Sequence, residues 1–167
     1  MDENFKKEQL TSCVFCDKTI TGKSFYKSKK FSALYNIAPI LPGHTLIIPN
    51  SHHESLMDLS EDELSGIMIF ARKITLVLKT VFDSDGFDWT IQDGSSAGQT
   101  VPHLHLHIIP RKLHDLPEGD DWYGKIHHSE VQLIDSRNRI RLNDSEYKEI
   151  TMKLRKVATA MHKSGQI

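Results

Sequence analysis

Apolar residues alternate with polar ones in short stretches through the first third of the chain. Ser24–Lys27, Phe31–Asn36 and His44–Ile48 read as three strands of an antiparallel meander, separated by Lys29-Lys30 and by Pro39, Pro42 and Gly43. The period then changes. Ser60-Glu61-Asp62-Glu63 has the Ser-x-x-Glu form of a capping box, in which serine and glutamate satisfy orphan amides at a helix start. Leu64, Ile67, Met68, Ala71, Ile74, Leu78 and Val81 follow at three- and four-residue spacing, which predicts a helix ending near Phe82 with one stripe buried on the sheet. Phe87–Gln92 and Leu104–Pro110 read as a fourth and fifth strand, joined by the Gly/Ser-rich loop Asp93–Gln99. The pattern weakens over 113–142, predicting a long, partly mobile loop that is functional or disordered. A final helix is expected over 143–163, capped by Asn143 with Glu146, its stripe formed by Tyr147, Ile150, Leu154, Val157 and Met161.

The chain is therefore expected to be one α+β domain over 1–167, a five-stranded antiparallel sheet with a packed helix and a C-terminal helix. Composition narrows its chemistry. The 21 basic and 22 acidic side chains give a net charge of −1, which argues against a duplex nucleic acid partner. The opening Met1–Lys7 is polar and no apolar run approaches the ~20 residues needed to span a bilayer, so neither export nor a membrane partner is expected. Cys13 and Cys16 form a Cys-x-x-Cys pair, which suggests a reducing compartment and a metal or redox role. The expected location is the cytoplasm, the nucleus included.

Histidine stands out, with ten against seven phenylalanines. His103, His105 and His107 alternate along the fifth strand, so their imidazoles should share one face at roughly 6–7 Å spacing, with Leu104, Leu106 and Ile108 on the other. Three readings are open: a solvated face, a His-x-His metal chelate, or nucleophilic catalysis in which an imidazole attacks phosphorus and water later hydrolyses the phosphohistidine. The preceding loop Asp93–Thr100 adds backbone amides with Gln99 and Thr100 as neutral donors for phosphate oxygens.

The run Gly98-Gln99-Thr100-Val101-Pro102-His103-Leu104-His105-Leu106-His107-Ile108-Ile109-Pro110-Arg111 resembles the signature of the histidine triad superfamily of nucleotide hydrolases and transferases. The likeness extends upstream through Ala33–Asn36, Pro42–Leu46, the first helix and Gln92-Asp93-Gly94, covering a core of about 13–112. Within the superfamily, Ile91–Gly94 and Gly98–Arg111 most resemble the fragile histidine triad branch, whose members cleave diadenosine triphosphate to AMP and ADP. The resemblance implies that His105 is the nucleophile, that His107 bonds a phosphate oxygen, and that His103 and His44 support the nucleophile from either side. It further implies that Gln92 orients the α-phosphate and that Gln99, as a catalytic residue, contacts the phosphates with Thr100 and helps the leaving group. Asn36 would bond the ribose hydroxyls, and Leu34 and Leu46 would line the nucleobase slot. It also implies a homodimer in which two sheets join as ten strands.

The Cys-x-x-Cys departs from that branch and is similar to the metal site of bacterial-type members. There the matching set is Cys13, Cys16, His52 and His103 around a structural zinc, with His53 an alternative to His52. Two rivals are a nucleoside phosphoramidase or general mononucleotidyl hydrolase, the branches related to adenosine phosphoramidases usually showing asparagine at the Gln92 position, and a signalling protein acting as the nucleotide-bound dimer. A zinc scaffold without catalysis leaves Gln99, Asn36 and His44 unexplained. In the loop, Trp122 and Tyr123 are open to three readings, a lid over the second nucleotide, a dimer-edge contact or a solvated connector.

Overall fold

The computed structural model describes residues 13–115 and 139–167. Strands β1 (Tyr26–Lys27), β2 (Phe31–Tyr35), β3 (Thr45–Pro49), β4 (Gly86–Ile91) and β5 (Leu106–Arg111) form one antiparallel sheet in the order β1-β2-β3-β5-β4. After a 3-10 turn at Val14–Cys16, a one-turn helix α1 (Lys18–Thr21) follows, its Asp17 cap accepting from the Thr19 amide. The long helix α2 (Glu61–Phe82) begins at the expected capping box of Ser60 and Glu63, and α3 (Asp144–Lys163) at that of Asn143 and Glu146. Among the described residues, no helix is long and apolar enough to cross a membrane. Trp122 and Tyr123 lie outside the described residues, as does most of the 113–142 loop.

The sheet is covered on both faces, which is why β2 and β3 are buried at every position instead of alternating. On one face Ala33, Tyr35, Ile47, Leu106 and Ile108 meet α2, and Leu154 and Ala158 of α3 join the same core. On the other, Leu34, Leu46 and Ile48 pack beneath Cys13 and Phe15 from the chain's N-terminal side. The stripe of α2 is turned from its expected setting. Ile67, Phe70, Ala71, Ile74, Val77 and Leu78 are buried, whereas Leu64 and Met68 are exposed, because both the sheet and α3 press on that helix.

Strand β5 begins two residues later than expected. The His103 amide turns back to the Val101 carbonyl (2.7 Å) and the Leu104 amide donates to the His53 carbonyl (2.6 Å), so ladder pairing starts only at Leu106. His103 and His105 thus precede the strand that carries His107. The turn into β3 is tight: Gly43 has φ +95°, and a Cβ there would lie 2.5 Å from Pro110 Cγ and 3.0 Å from Phe82. Gly43→Ala should therefore combine backbone strain with a core clash and destabilise the protein by about 3 kcal/mol. Urea unfolding checks this, with the midpoint falling at unchanged slope.

Candidate functional site

Register lays out the site. Leu34 pairs with Leu46, Leu46 with His107, and His107 with Thr90, so these four stand abreast across β2, β3, β5 and β4. One step along lie Asn36 and His44, joined by a bond from the Asn36 amide to the His44 carbonyl (2.9 Å). The rings of His44 and His107 are 5.1 Å apart between centroids and those of His107 and His105 4.9 Å, forming a closer row than a flat strand gives. His103 stands apart, with Phe15 edge-on to its ring at 5.7 Å and tilted against His105 at 5.5 Å.

Backbone groups decide where each imidazole carries its proton, because an amide can only donate and a carbonyl can only accept. The Ile40 amide donates to His44 Nδ1 (3.2 Å), so the His44 proton sits on Nε2 and is given to His107 Nδ1 (2.8 Å). His107 then keeps its own proton on Nε2, an atom buried without a partner among the described residues. His105 donates from Nδ1 to the His103 carbonyl (2.7 Å), which leaves its Nε2 lone pair free. His103 donates from Nε2 to the Pro49 carbonyl (3.1 Å), turning its Nδ1 lone pair away from the row. Asn36 Oδ1 accepts from the Ala38 amide (2.9 Å), so its Nδ2 faces His44 Nε2 at 3.4 Å as a donor beside a donor, a contact and not a bond.

Burial keeps the row neutral. It lowers His44 to about 3, helped by the neighbouring Arg139 guanidinium and the His105 ring. It holds His107 well below the usual imidazole range, with His44, His105 and Arg139 adding to the effect. His105 is lowered by burial too, partly offset by its bond to the His103 carbonyl. A neutral imidazole with a free Nε2 is a nucleophile at neutral pH.

Beside the row, Cys13, Cys16, His52 and His103 bring their donor atoms within 4.8 Å of one another and could hold a metal ion. His103 Nδ1 is 3.4 Å from Cys13 Sγ and 3.6 Å from Cys16 Sγ, and His52 Nδ1 is 3.3 Å from Cys16 Sγ. Burial and the adjacent Cys13 push the Cys16 thiol up to about 12, so ionising Cys16 calls for a cation. His53 is not in the set; it contributes the carbonyl that takes the Leu104 amide.

The loop donors are placed less simply. Gln99 is tied down, Oε1 accepting from the Gly94 amide (2.7 Å) and Nε2 donating to the Glu54 carbonyl (2.8 Å). Asp93 accepts from Ser55 Oγ (3.0 Å) and the Leu56 amide (2.9 Å), anchoring the same loop. Gln92 packs under Gly98, where a Cβ would come within 2.8 Å of its Nε2. Thr100 is exposed at the loop's end. Sequence reasoning missed Phe15, Asp93 and Arg139. Phe15 was signalled only by its place inside the Cys-x-x-Cys, and Arg139 by nothing local.

The family model for the HIT domain matches residues 17–114. The chain belongs to the HIT domain family. A Schizosaccharomyces pombe protein named bis(5'-nucleosyl)-tetraphosphatase (asymmetrical) is 44% identical over 68% of this chain and 63% of its own length. A Dictyostelium discoideum bis(5'-adenosyl)-triphosphatase is 40% identical over 61% of this chain and 68% of its own length. The matched part of this HIT chain thus spans about two thirds of these relatives. The fold aligns with a Zn-bound histidine triad family protein from Mycobacterium smegmatis at a TM-score of 0.68, with 26% identity over 93% of this chain and 99% of that one.

Because His44 and His107 are lowered in the folded HIT domain, the unfolded chain binds more protons below pH 6.5. The stability this provides is present above that pH and is lost as pH falls toward the folded values. Each residue should contribute a slope of about 1.4 kcal/mol per pH unit below pH 6. Urea unfolding between pH 7 and 5 measures the slope. Nitrogen-15 NMR over the same range should show both rings neutral, His105 protonated on Nδ1 and His44 on Nε2.

Proposed function

We propose that the chain hydrolyses dinucleoside polyphosphates, cleaving diadenosine triphosphate to AMP and ADP through a nucleotidyl-His105 intermediate. The observation that carries this reading is the free Nε2 of His105, its other nitrogen committed to the His103 carbonyl at 2.7 Å. The names of the yeast and Dictyostelium relatives support the substrate class. Nε2 attacks the α-phosphorus as the P–O bond to the departing ADP breaks. Water oxygen then bonds to phosphorus, the P–N bond breaks, its electron pair returns to Nε2, and AMP leaves as the water proton passes to solvent. His107 Nε2 donates to a non-bridging oxygen where charge grows, and His44 holds His107 in the tautomer that allows it. Gln92, Gln99 and Thr100 bind the phosphates, for which Gln99 exchanges its present bonds; Asn36 holds the ribose, and Leu34 and Leu46 floor the base slot.

Zinc is the proposed occupant of the Cys13, Cys16, His52 and His103 set. Bond lengths of about 2.3 Å to sulfur and about 2.05 Å to nitrogen in a tetrahedron require S···N separations of about 3.6 Å. The observed 3.3–3.6 Å fit. The ion's role would be structural, holding His103 and so the carbonyl that His105 uses. A homodimer is supported by the open edge of β4 and by the exposed Leu64, Met68 and Ile69 on α2. The whole would act as one domain in the cytoplasm. A second reading, phosphoramidase or general mononucleotidyl hydrolase, is favoured by the gathered Cys/His set, the feature this chain shares in kind with bacterial-type members.

Chromatography of products from diadenosine triphosphate, diadenosine tetraphosphate and an adenosine phosphoramidate separates the readings. Prompt AMP plus ADP with slow phosphoramidate cleavage is expected, and the reverse preference would install the second reading. His105→Asn should lose turnover by roughly a thousandfold or more while still binding AMP. Metal analysis should find one zinc per chain, and Cys16→Ser should lose it with a fall in Tm.

A further inference from the structure

We infer that Glu54 is a positioning residue of the Cys/His set, its carboxylate holding His52 in the tautomer and ring orientation that a metal ion needs. The inference rests on the zinc reading above and adds a side chain that lies outside the four gathered donors.

The two imidazoles of the set are arranged alike. His103 turns Nδ1 to the thiols, 3.4 Å from Cys13 Sγ and 3.6 Å from Cys16 Sγ, while its Nε2 donates to the Pro49 carbonyl (3.1 Å). His52 turns Nδ1 to Cys16 Sγ (3.3 Å), and its Nε2 lies 3.5 Å from Glu54 Oε1. Because a carboxylate accepts and does not donate, the His52 proton belongs on Nε2 and the lone pair left on Nδ1 faces the sulfur. The two rings stand edge-on with centroids 5.2 Å apart, which brings both Nδ1 atoms to the same cluster of donors.

Glu54 is placed for this by its own main chain. Its amide donates to Asp58 Oδ2 (3.0 Å) and its carbonyl accepts from Gln99 Nε2 (2.8 Å), so the backbone at 54 is held at both of its polar groups. The carboxylate therefore starts from a fixed Cβ and reaches the outward nitrogen of a ring two positions away. Its side chain is 48% exposed and that of His52 17%, so water competes for the carboxylate and its support is of the weaker kind. That support is twofold: the carboxylate fixes which nitrogen is free, and its negative charge makes the imidazole a better donor to a cation. Pro49 does the first of these for His103 through main chain, so Glu54 is, among the described residues, the outer partner of a set imidazole that a substitution removes.

The test is the zinc affinity of the full chain, read by competition with a chromophoric chelator. Glu54→Ala should weaken zinc binding by about tenfold, the lower end of what a lost outer partner costs, and Glu54→Gln, whose amide oxygen accepts the same bond, should recover part of the loss. Nitrogen-15 NMR of the metal-free chain adds a readout that a merely structural role would not move. His52 should be protonated on Nε2 in the unaltered chain and shift toward Nδ1 in Glu54→Ala, with Tm unchanged. Equal zinc affinity in Glu54→Ala would overturn the inference and leave the zinc reading intact. A loss that Glu54→Gln does not relieve would also overturn it, since the acceptor atom would then not be what matters. If the unaltered chain bound no zinc, the zinc reading itself would fall and this inference with it.

Discussion

A backbone carbonyl selects which nitrogen of His105 keeps its lone pair. The His103 C=O accepts the Nδ1 proton of His105, and everything chemical about His105 follows from the lone pair left on Nε2. That carbonyl can do so only because the chain at 103 turns out of the strand, with the His103 amide on Val101 and the Leu104 amide on His53. The same turn points the His103 ring toward Cys13 and Cys16. One local departure from regular β geometry therefore has two effects, leaving an Nε2 lone pair on His105 on one side and turning His103 Nδ1 toward two thiols on the other.

The remaining imidazoles extend this logic as a chain of committed protons, from the Ile40 amide through His44 to His107. Each link is fixed by a neighbour that can play only one part. Burial then ensures that no ring gains a second proton and breaks the sequence. The row is thus a relay of orientation and not of charge.

Much of this was legible in the chain. The helix starts at Ser60 and Asn143 were readable because a capping box is a local device whose residues meet across three positions. The alternation of His103, His105 and His107 marked the site, and the family likeness set His103 apart as the one that gathers with Cys13, Cys16 and His52. Strand ends were less readable, since the start of β5 depends on where His53 places its carbonyl, a contact made across fifty residues. Leu64 and Met68 misled because a helix flanked on two sides buries a face that its own period does not single out. Gln99 was unreadable in position for a related reason: the Glu54 carbonyl that holds its Nε2 is distant in sequence.

The bond from the Leu104 amide to the His53 carbonyl ties together the segments that carry His103 and His52 through main chain alone. Two of the four members of the Cys/His set are therefore held near each other by main chain. An ion bound here would meet donors already gathered, the Cys13–Cys16 turn included, so little conformational entropy would be lost on binding. In this respect the set is arranged less like a zinc-nucleated fold than like a preformed receptor, in which a metal would tighten an existing geometry instead of creating it.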